Sequence, residues 1–270
     1  MNSKQNIIVG TAQGIKDING VYSEVGEDPE RLNILSENMI GKRTMQAYCP
    51  YLNNYYDNVY LHKCFYDFEL FTENNKSFVK INNIDELNEI TKQKLEDRPY
   101  CLFPNTEEIM KQFMFCQEGN QIDDMQPLLG SPLTGGHSLI VQLQMGIMYF
   151  SPVPDIMYET LPPTFHATDN VDWLLGGRLP DLHAWPRFFQ AAFRWKDNKK
   201  PCRIAKGTVM CYGRLTNLKN VFSKIQAKRI KNFQEISNHI EQNLIKFRYD
   251  KVPMQKIIKA NSFKPIKLET

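Results

Sequence analysis

The chain contains no Cys-x-x-Cys pair, no P-loop, no Gly-x-Gly-x-x-Gly run and no Gly-x-Ser-x-Gly elbow. Each absence removes a class of function. Without the glycine-rich phosphate cradles, mononucleotide and dinucleotide sites of the common kind lose their signature. Ser131, Ser138 and Ser151 lack the context of an activated nucleophile. Gly135-Gly136 and Gly176-Gly177 read as turns. The six cysteines, Cys49, Cys64, Cys101, Cys116, Cys202 and Cys211, are scattered. In a chain this long, that pattern points to reduced, buried thiols rather than a disulfide framework or a zinc site. Long apolar runs are also missing. The best stretch, Leu139–Phe150, is interrupted by Gln142, Gln144 and Gly146, far from the roughly 18 apolar residues a membrane helix needs. The polar start, MNSKQNIIVG, does not read as a secretory signal. A soluble protein of the cytoplasm is the expectation.

What is present is an ordinary globular composition, 42% hydrophobic and 23% charged over 270 residues. The formal charge of +3 conceals an asymmetry. From Thr216 onward there are twelve Lys/Arg and four Asp/Glu, a charge of +8, which leaves 21 basic and 26 acidic residues, or −5, in the remainder. A basic end behind an acidic body suits nucleic acid, an anionic surface or the body itself. No recognised nucleic-acid motif accompanies it.

Pattern along the chain predicts a mainly β (α+β) protein. Residues 1–43 lack sustained periodicity and read as an irregular arm with one short strand at Asn6–Gly10. A β-rich domain is expected over 44–216. Val59–His62 and Phe65–Leu70 are aromatic and β-branched, and Asn74-Asn75 reads as a hairpin turn into Ser77–Ile81. A small helical insertion near 83–117 is suggested by Ile84, Leu87, Ile90 and Leu95, and by the capping spacing of Asn105 and Glu108. Phe113-Met114-Phe115 fits a strand equally well. Gln117–Gly136 is a long polar loop. Strands then follow closely: His137–Gln144, Met145–Phe150, Ile156–Leu161, Phe188–Trp195, Cys202–Ala205 and Thr208–Leu215, with a tight turn at Lys206-Gly207. That spacing predicts an antiparallel β-sandwich or jelly roll. Phe222, Ile225, Phe233, Ile236, Ile240, Leu244 and Phe247 then recur at three and four residues. They predict a long amphipathic helix over 217–250, packed on the sheet, with a basic tail at 251–270.

Two constellations carry candidate chemistry. His166, Asp181 and His183 supply two imidazoles and a carboxylate, the donor set of a facial-triad site for Fe(II) or another transition metal on a jelly roll. Asp181-Leu182-His183 reverses the usual His-x-Asp order of such sites. Arg178, Trp185, Arg187 and Arg194 form the second set, since guanidinium groups fork onto anions and stack on indoles. They would suit a phosphate, carboxylate or sugar ligand.

Cys49-Pro50, Val59-Tyr60 and Phe65–Glu69 form one familiar stretch. Leu161-Pro162-Pro163, Gly177, Trp185-Pro186-Arg187, Arg203–Gly207 and Tyr212–Leu215 form another. Over residues from about 45 to 225 they resemble uncharacterised proteins, many from marine tailed phages, that share a domain of unknown function. The resemblance implies a β-sandwich followed by a helix, a viral source, and a virion-associated or host-interaction role; it implies no activity. The leading expectation is a non-enzymatic structural or interaction protein with a protein partner or a homo-oligomeric state and no cofactor. The alternatives are a jelly-roll metal-dependent oxygenase and an anion- or carbohydrate-binding module.

Overall fold

A computed structural model describes residues 6–16, 22–25, 29–33, 56–74, 76–82, 99–103, 114–118, 139–143, 146–174, 177–179, 181–183, 187–189, 191–238 and 269. The fold is mainly β, as expected. Its strands in chain order are β1 (Asn6–Lys16), β2 (Tyr22–Val25), β3 (Val59–Lys63), β4 (Asp67–Glu73), β5 (Lys76–Asn82), β6 (Tyr100–Phe103), β7 (Met114–Glu118), β8 (Leu139–Leu143), β9 (Gly146–Phe150), β10 (Ile156–Leu161), β11 (Val171–Trp173), β12 (Arg178–Leu179), β13 (Arg187–Phe189), β14 (Ala192–Trp195), β15 (Cys202–Ile204), β16 (Val209–Asn217) and β17 (Lys224–Arg229).

These strands form four sheets. One runs β13-β9-β1-β17, with β2 on the far part of β1; the others run β12-β10-β16-β3, β11-β14-β8-β7 and β15-β4-β5-β6. Among the described strands only β1 and β17 pair in parallel, Asn6 with Lys224 through Thr11 with Arg229. All four sheets feed one hydrophobic core, which includes Val9, Tyr149, Tyr158, Phe68, Val79, Phe193 and Trp195. Ring contacts tie the sheets together: Phe68 stacks on Phe193 at 6.2 Å, and Tyr149 lies 4.6 Å from Tyr158.

Several local expectations hold for physical reasons visible in the chain. The β4–β5 hairpin turns at Asn74, whose φ of 49° suits an asparagine in a two-residue turn. Gly207 takes φ +87° in the turn between β15 and β16, a conformation that costs glycine little. At Met114-Phe115 the strand alternative is the one observed, in β7, while Phe113 lies outside the described residues. The helix expected over 83–97, the second from Asn105 and most of the polar loop lie outside the described residues. Four cysteines, Cys64, Cys101, Cys202 and Cys211, are free thiols.

Three expectations are corrected. The helix placed over 217–250 does not begin at Asn217: residues 218–223 are turns, 224–229 are β17, and only 233–238 are helical, with 239–250 outside the described residues. Ile225 belongs to a helical stripe and equally to an alternation. Ile225 and Ala227 are buried while Lys224 and Gln226 face out, so β1 could recruit the segment as a strand. Second, the strand expected at Asn6–Gly10 is present but longer: β1 runs eleven residues to Lys16, between β9 and β17. Its buried Ile7 and Val9 flank an exposed Ile8. That short alternation is all the sequence offers, because the polar continuation is ordered by partners distant in sequence. Third, Phe188–Trp195 is two strands. β13 pairs with β9 and β14 with β8, and the break falls opposite the break between β8 and β9, so the ribbon passes from one sheet to another.

Candidate functional site

β17 is the edge of its sheet, and an edge strand exposes a row of unpaired backbone groups. Here two side chains take that row. Asn58 sits in the left-handed region at φ 58°, just before β3. Its amide nitrogen donates to Ser223 O at 3.0 Å, and its Oδ1 accepts from Ile225 N at 2.9 Å. Two residues on, the Tyr60 hydroxyl donates to Ile225 O at 2.8 Å and accepts from Ala227 N at 2.9 Å. Three backbone groups of β17, and the Ser223 carbonyl just before it, are thereby satisfied without a neighbouring strand. Burial pushes the Tyr60 phenol above its ordinary pKa, so it keeps the proton it donates.

Beside this clamp lies a cleft of about 320 Å³. Ile7, Tyr60, Ile225 and Ala227 line it, with Ile8, 40% exposed, and the polar Asn6, Lys224 and Gln226 on the β1–β17 side. The opposite wall is Pro29 and Arg31. That segment is fixed by backbone bonds from Leu32 N to Val59 O and from Leu61 N to Glu30 O, both 2.8 Å. Arg31 pairs with Asp57 at 3.0 Å, and Lys63 pairs with Glu30.

Between β16 and β17, residues 217–223 form a projecting tip. Asn217 Oδ1 accepts from Lys219 N at 2.9 Å and Asn220 N at 3.3 Å. The Asn217 amide donates to Ser223 Oγ, and Asn220 Oδ1 accepts from Phe222 N. Leu218 N donates to Asp155 O, and Lys219 pairs with the Asp155 carboxylate. Asparagine turns therefore hold the loop's polar backbone and leave its apolar side chains outward. Phe222 is 78% exposed, Val221 63% and Leu218 50%. Fully burying a phenylalanine is worth roughly 1.5–3 kcal/mol; most of that remains unused at Phe222.

The buried titratable groups are sealed. His62 lies between the sheets, its Nε2 3.1 Å from Tyr149 Oη and 3.5 Å from Tyr158 Oη. Burial lowers its pKa to about 3, so the imidazole is neutral. Burial raises Cys64 and Cys211 to about 12, which keeps them as thiols rather than nucleophilic thiolates. At Gly213 an added Cβ would lie 2.6 Å from both His62 Nε2 and Tyr158 Cε2.

The residues singled out from sequence are distributed differently. His166 Nδ1 is 2.7 Å from Tyr212 Oη, which also accepts from Phe165 N. His183 Nδ1 is 3.1 Å from Ser151 O, and its backbone N–H donates to Asp181 Oδ1. Asp181 and His183 are thus joined in a local turn, while His166 is turned to β16. Among the described residues no three His, Cys, Asp or Glu side chains form a metal-sized group. Arg178 pairs with Glu159, which also binds Arg214. Arg194 pairs with Asp172 across β11 and β14. Arg178 and Arg194 of the expected binding set therefore sit in separate sheets, paired with different carboxylates. Arg187 is described as backbone in β13, and Trp185 lies outside the described residues. The sequence reading passed over Asn58, Tyr60 and the tip; the one available signal was Asn217, Asn220 and Ser223 spaced through an apolar stripe, since these residue types favour turns over helix interiors.

The fold and this surface define a mainly β protein with an exposed apolar tip near a cleft. No family model, curated protein or solved structure matches the chain. No described helix is long and apolar enough to cross a membrane.

Proposed function

We propose that this is a non-enzymatic structural or interaction protein that binds a partner through the 217–223 tip, its four sheets forming a β-sandwich of jelly-roll type. The observation that carries the reading is the tip itself: three large apolar side chains held outward on a loop whose polar backbone is already bonded. Such a loop enters a complex with little ordering cost, and an exposed aromatic anchor is the usual centre of a binding hot spot. The sealing of His62, Cys64 and Cys211 favours a structural use of those groups. The resemblance to tailed-phage proteins supports a viral source and a place in the virion or the host cytoplasm.

The test is a photo-reactive phenylalanine analogue placed at Phe222, with a second copy of the experiment at exposed Lys80 on β5. In the producing cell, adducts to a defined protein are expected from position 222 and not from position 80. Equal or absent adducts at the two positions would remove the reading.

A further inference from the structure

Residues 163–167 lie in the connection from β10 to β11 and form a turn. Phe165 packs there against the second apolar cluster, which includes Leu161, Val209 and Tyr212, and its ring meets Tyr56 at 5.2 Å. Inside the turn, Thr164 N and His166 N donate to the carbonyls of Pro162 and Pro163, both at 2.8 Å. Toward the rest of the chain, among the described residues, 163–167 makes two hydrogen bonds. Both end on the Tyr212 hydroxyl of β16: Phe165 N donates to it at 3.0 Å, and His166 Nδ1 lies 2.7 Å from it.

One phenol carries one hydrogen. The Tyr212 oxygen already accepts from Phe165 N, so its hydrogen goes to Nδ1, and this holds His166 in the neutral form protonated at Nε2. Tyr212 is fully buried, and burial pushes its pKa up to about 12, so the hydroxyl keeps that hydrogen. A proton arriving on Nδ1 would remove the acceptor. Two donors would then share one buried oxygen, and the phenol hydrogen would lose its partner. The half-buried imidazolium would also be poorly compensated. Among the described residues, the charges that reach it are Glu30 on the 29–33 segment and Lys63 at the end of β3, and these pair with each other. Burial holds the His166 pKa below its ordinary 6.5, with Glu30 opposing that shift and Lys63 adding to it. Asp181 and His183 bond elsewhere, to one another and to Ser151.

We propose that the 163–167 turn is a pH-sensitive latch: neutral His166 fastens it to β16 through the Tyr212 hydroxyl, and protonation of Nδ1 releases it and uncovers the apolar cluster beneath Phe165. The latch shares no residue with the 217–223 tip. Its sign follows from the depressed pKa. The closed form is fully favoured above pH 6.5 and weakens as pH falls through the folded value.

Amide hydrogen exchange at Phe165 in the full chain, divided by the intrinsic rate at each pH, reads the latch. His166→Asn places an amide oxygen near the position of Nδ1 and does not titrate, so it should stay fastened throughout. Both proteins keep His62, so its acid dependence cancels in their ratio. Protection of Phe165 should agree within about twofold near pH 7.5, and the parent should fall about fivefold or more below His166→Asn near pH 5. Tyr212→Phe keeps the ring and removes both bonds, so protection should be low at either pH. The His166 titration, followed by NMR, should have a midpoint below 6.5 in the parent and move toward 6.5 in Tyr212→Phe. Parallel exchange profiles for the parent and His166→Asn, or a parent midpoint at or above 6.5, would overturn the proposal. Should either variant fail to fold, the titration of the parent still decides it.

Discussion

The two ends of the Asn58–Ser223 hydrogen bond use the same chemistry for opposite purposes. On the β3 side, Asn58 and Tyr60 satisfy the backbone of β17 and bury it between sheets. On the tip side, Asn217 and Asn220 satisfy the backbone N–H groups of Lys219, Asn220 and Phe222 and leave the hydrophobic side chains in water. Side-chain bonds to the main chain hold both segments, on the edge of β17 that β1 leaves unpaired and in the tip. What differs is where the apolar atoms go. In the seam they join the common core and supply stability; at the tip they supply none and are available for contact. The comparison teaches that polar satisfaction alone does not mark a residue as structural, and that exposure of the attached apolar groups separates the two roles.

Disturbing the seam should therefore cost stability, and disturbing the tip should not. The largest effect is expected for Gly213→Ala. The new methyl would meet the His62 ring and the Tyr158 ring at 2.6 Å, both in a packed interior, so a loss of about 3 kcal/mol is expected in urea unfolding, at the upper end for overpacking. Acid comes next. His62 has a folded pKa of about 3 against 6.5 free. Between those values the unfolded chain binds a proton that the folded chain does not. Stability is then complete above pH 6.5 and falls by about 1.4 kcal/mol for each pH unit below it, until about pH 3. The difference between the parent and His62→Gln, measured at pH 7 and pH 5, should isolate roughly 2 kcal/mol of this dependence; parallel pH profiles would refute it. Tyr60→Phe removes one hydroxyl and strands Ile225 O and Ala227 N. A loss of about 1–2 kcal/mol should follow, with faster amide exchange at Ala227 than at unaffected core amides. The smallest effect is expected for Phe222→Ser, within about 0.5 kcal/mol of the parent. A loss as large as that at Tyr60 would move the tip into the structural half of the comparison.

The legible parts of the fold were those written in local pattern. Phe68 and Leu70 facing inward in β4, the Asn74 turn and the Gly207 turn follow from neighbouring residues alone. Ile225 was not legible in that way, because its spacing from Phe222 satisfies a helix and its spacing from Ala227 satisfies a strand. The split between β13 and β14 was also hidden, since Phe189, Ala191, Phe193 and Trp195 alternate without interruption. Of the candidate site residues, Arg178 and Arg194 were visible as arginines, but their carboxylate partners Glu159 and Asp172 lie 19 and 22 residues away along the chain. Asn58 and Tyr60 reach β17 across 165 to 167 residues, and no window of sequence spans such a bond.

By itself the sequence determined that the chain would be mainly β, where its tight turns would fall, that its cysteines would not pair as Cys-x-x-Cys, and that its basic charge would gather after Thr216. Those properties depend on backbone preferences and side-chain alternation, which act over a few residues. Tertiary structure alone decided that residues 224–229 would be a strand beside β1, that His62 would be neutral, and that Phe222 would stand in water. Each of these turns on burial and on hydrogen-bond partners that only the folded chain brings within reach.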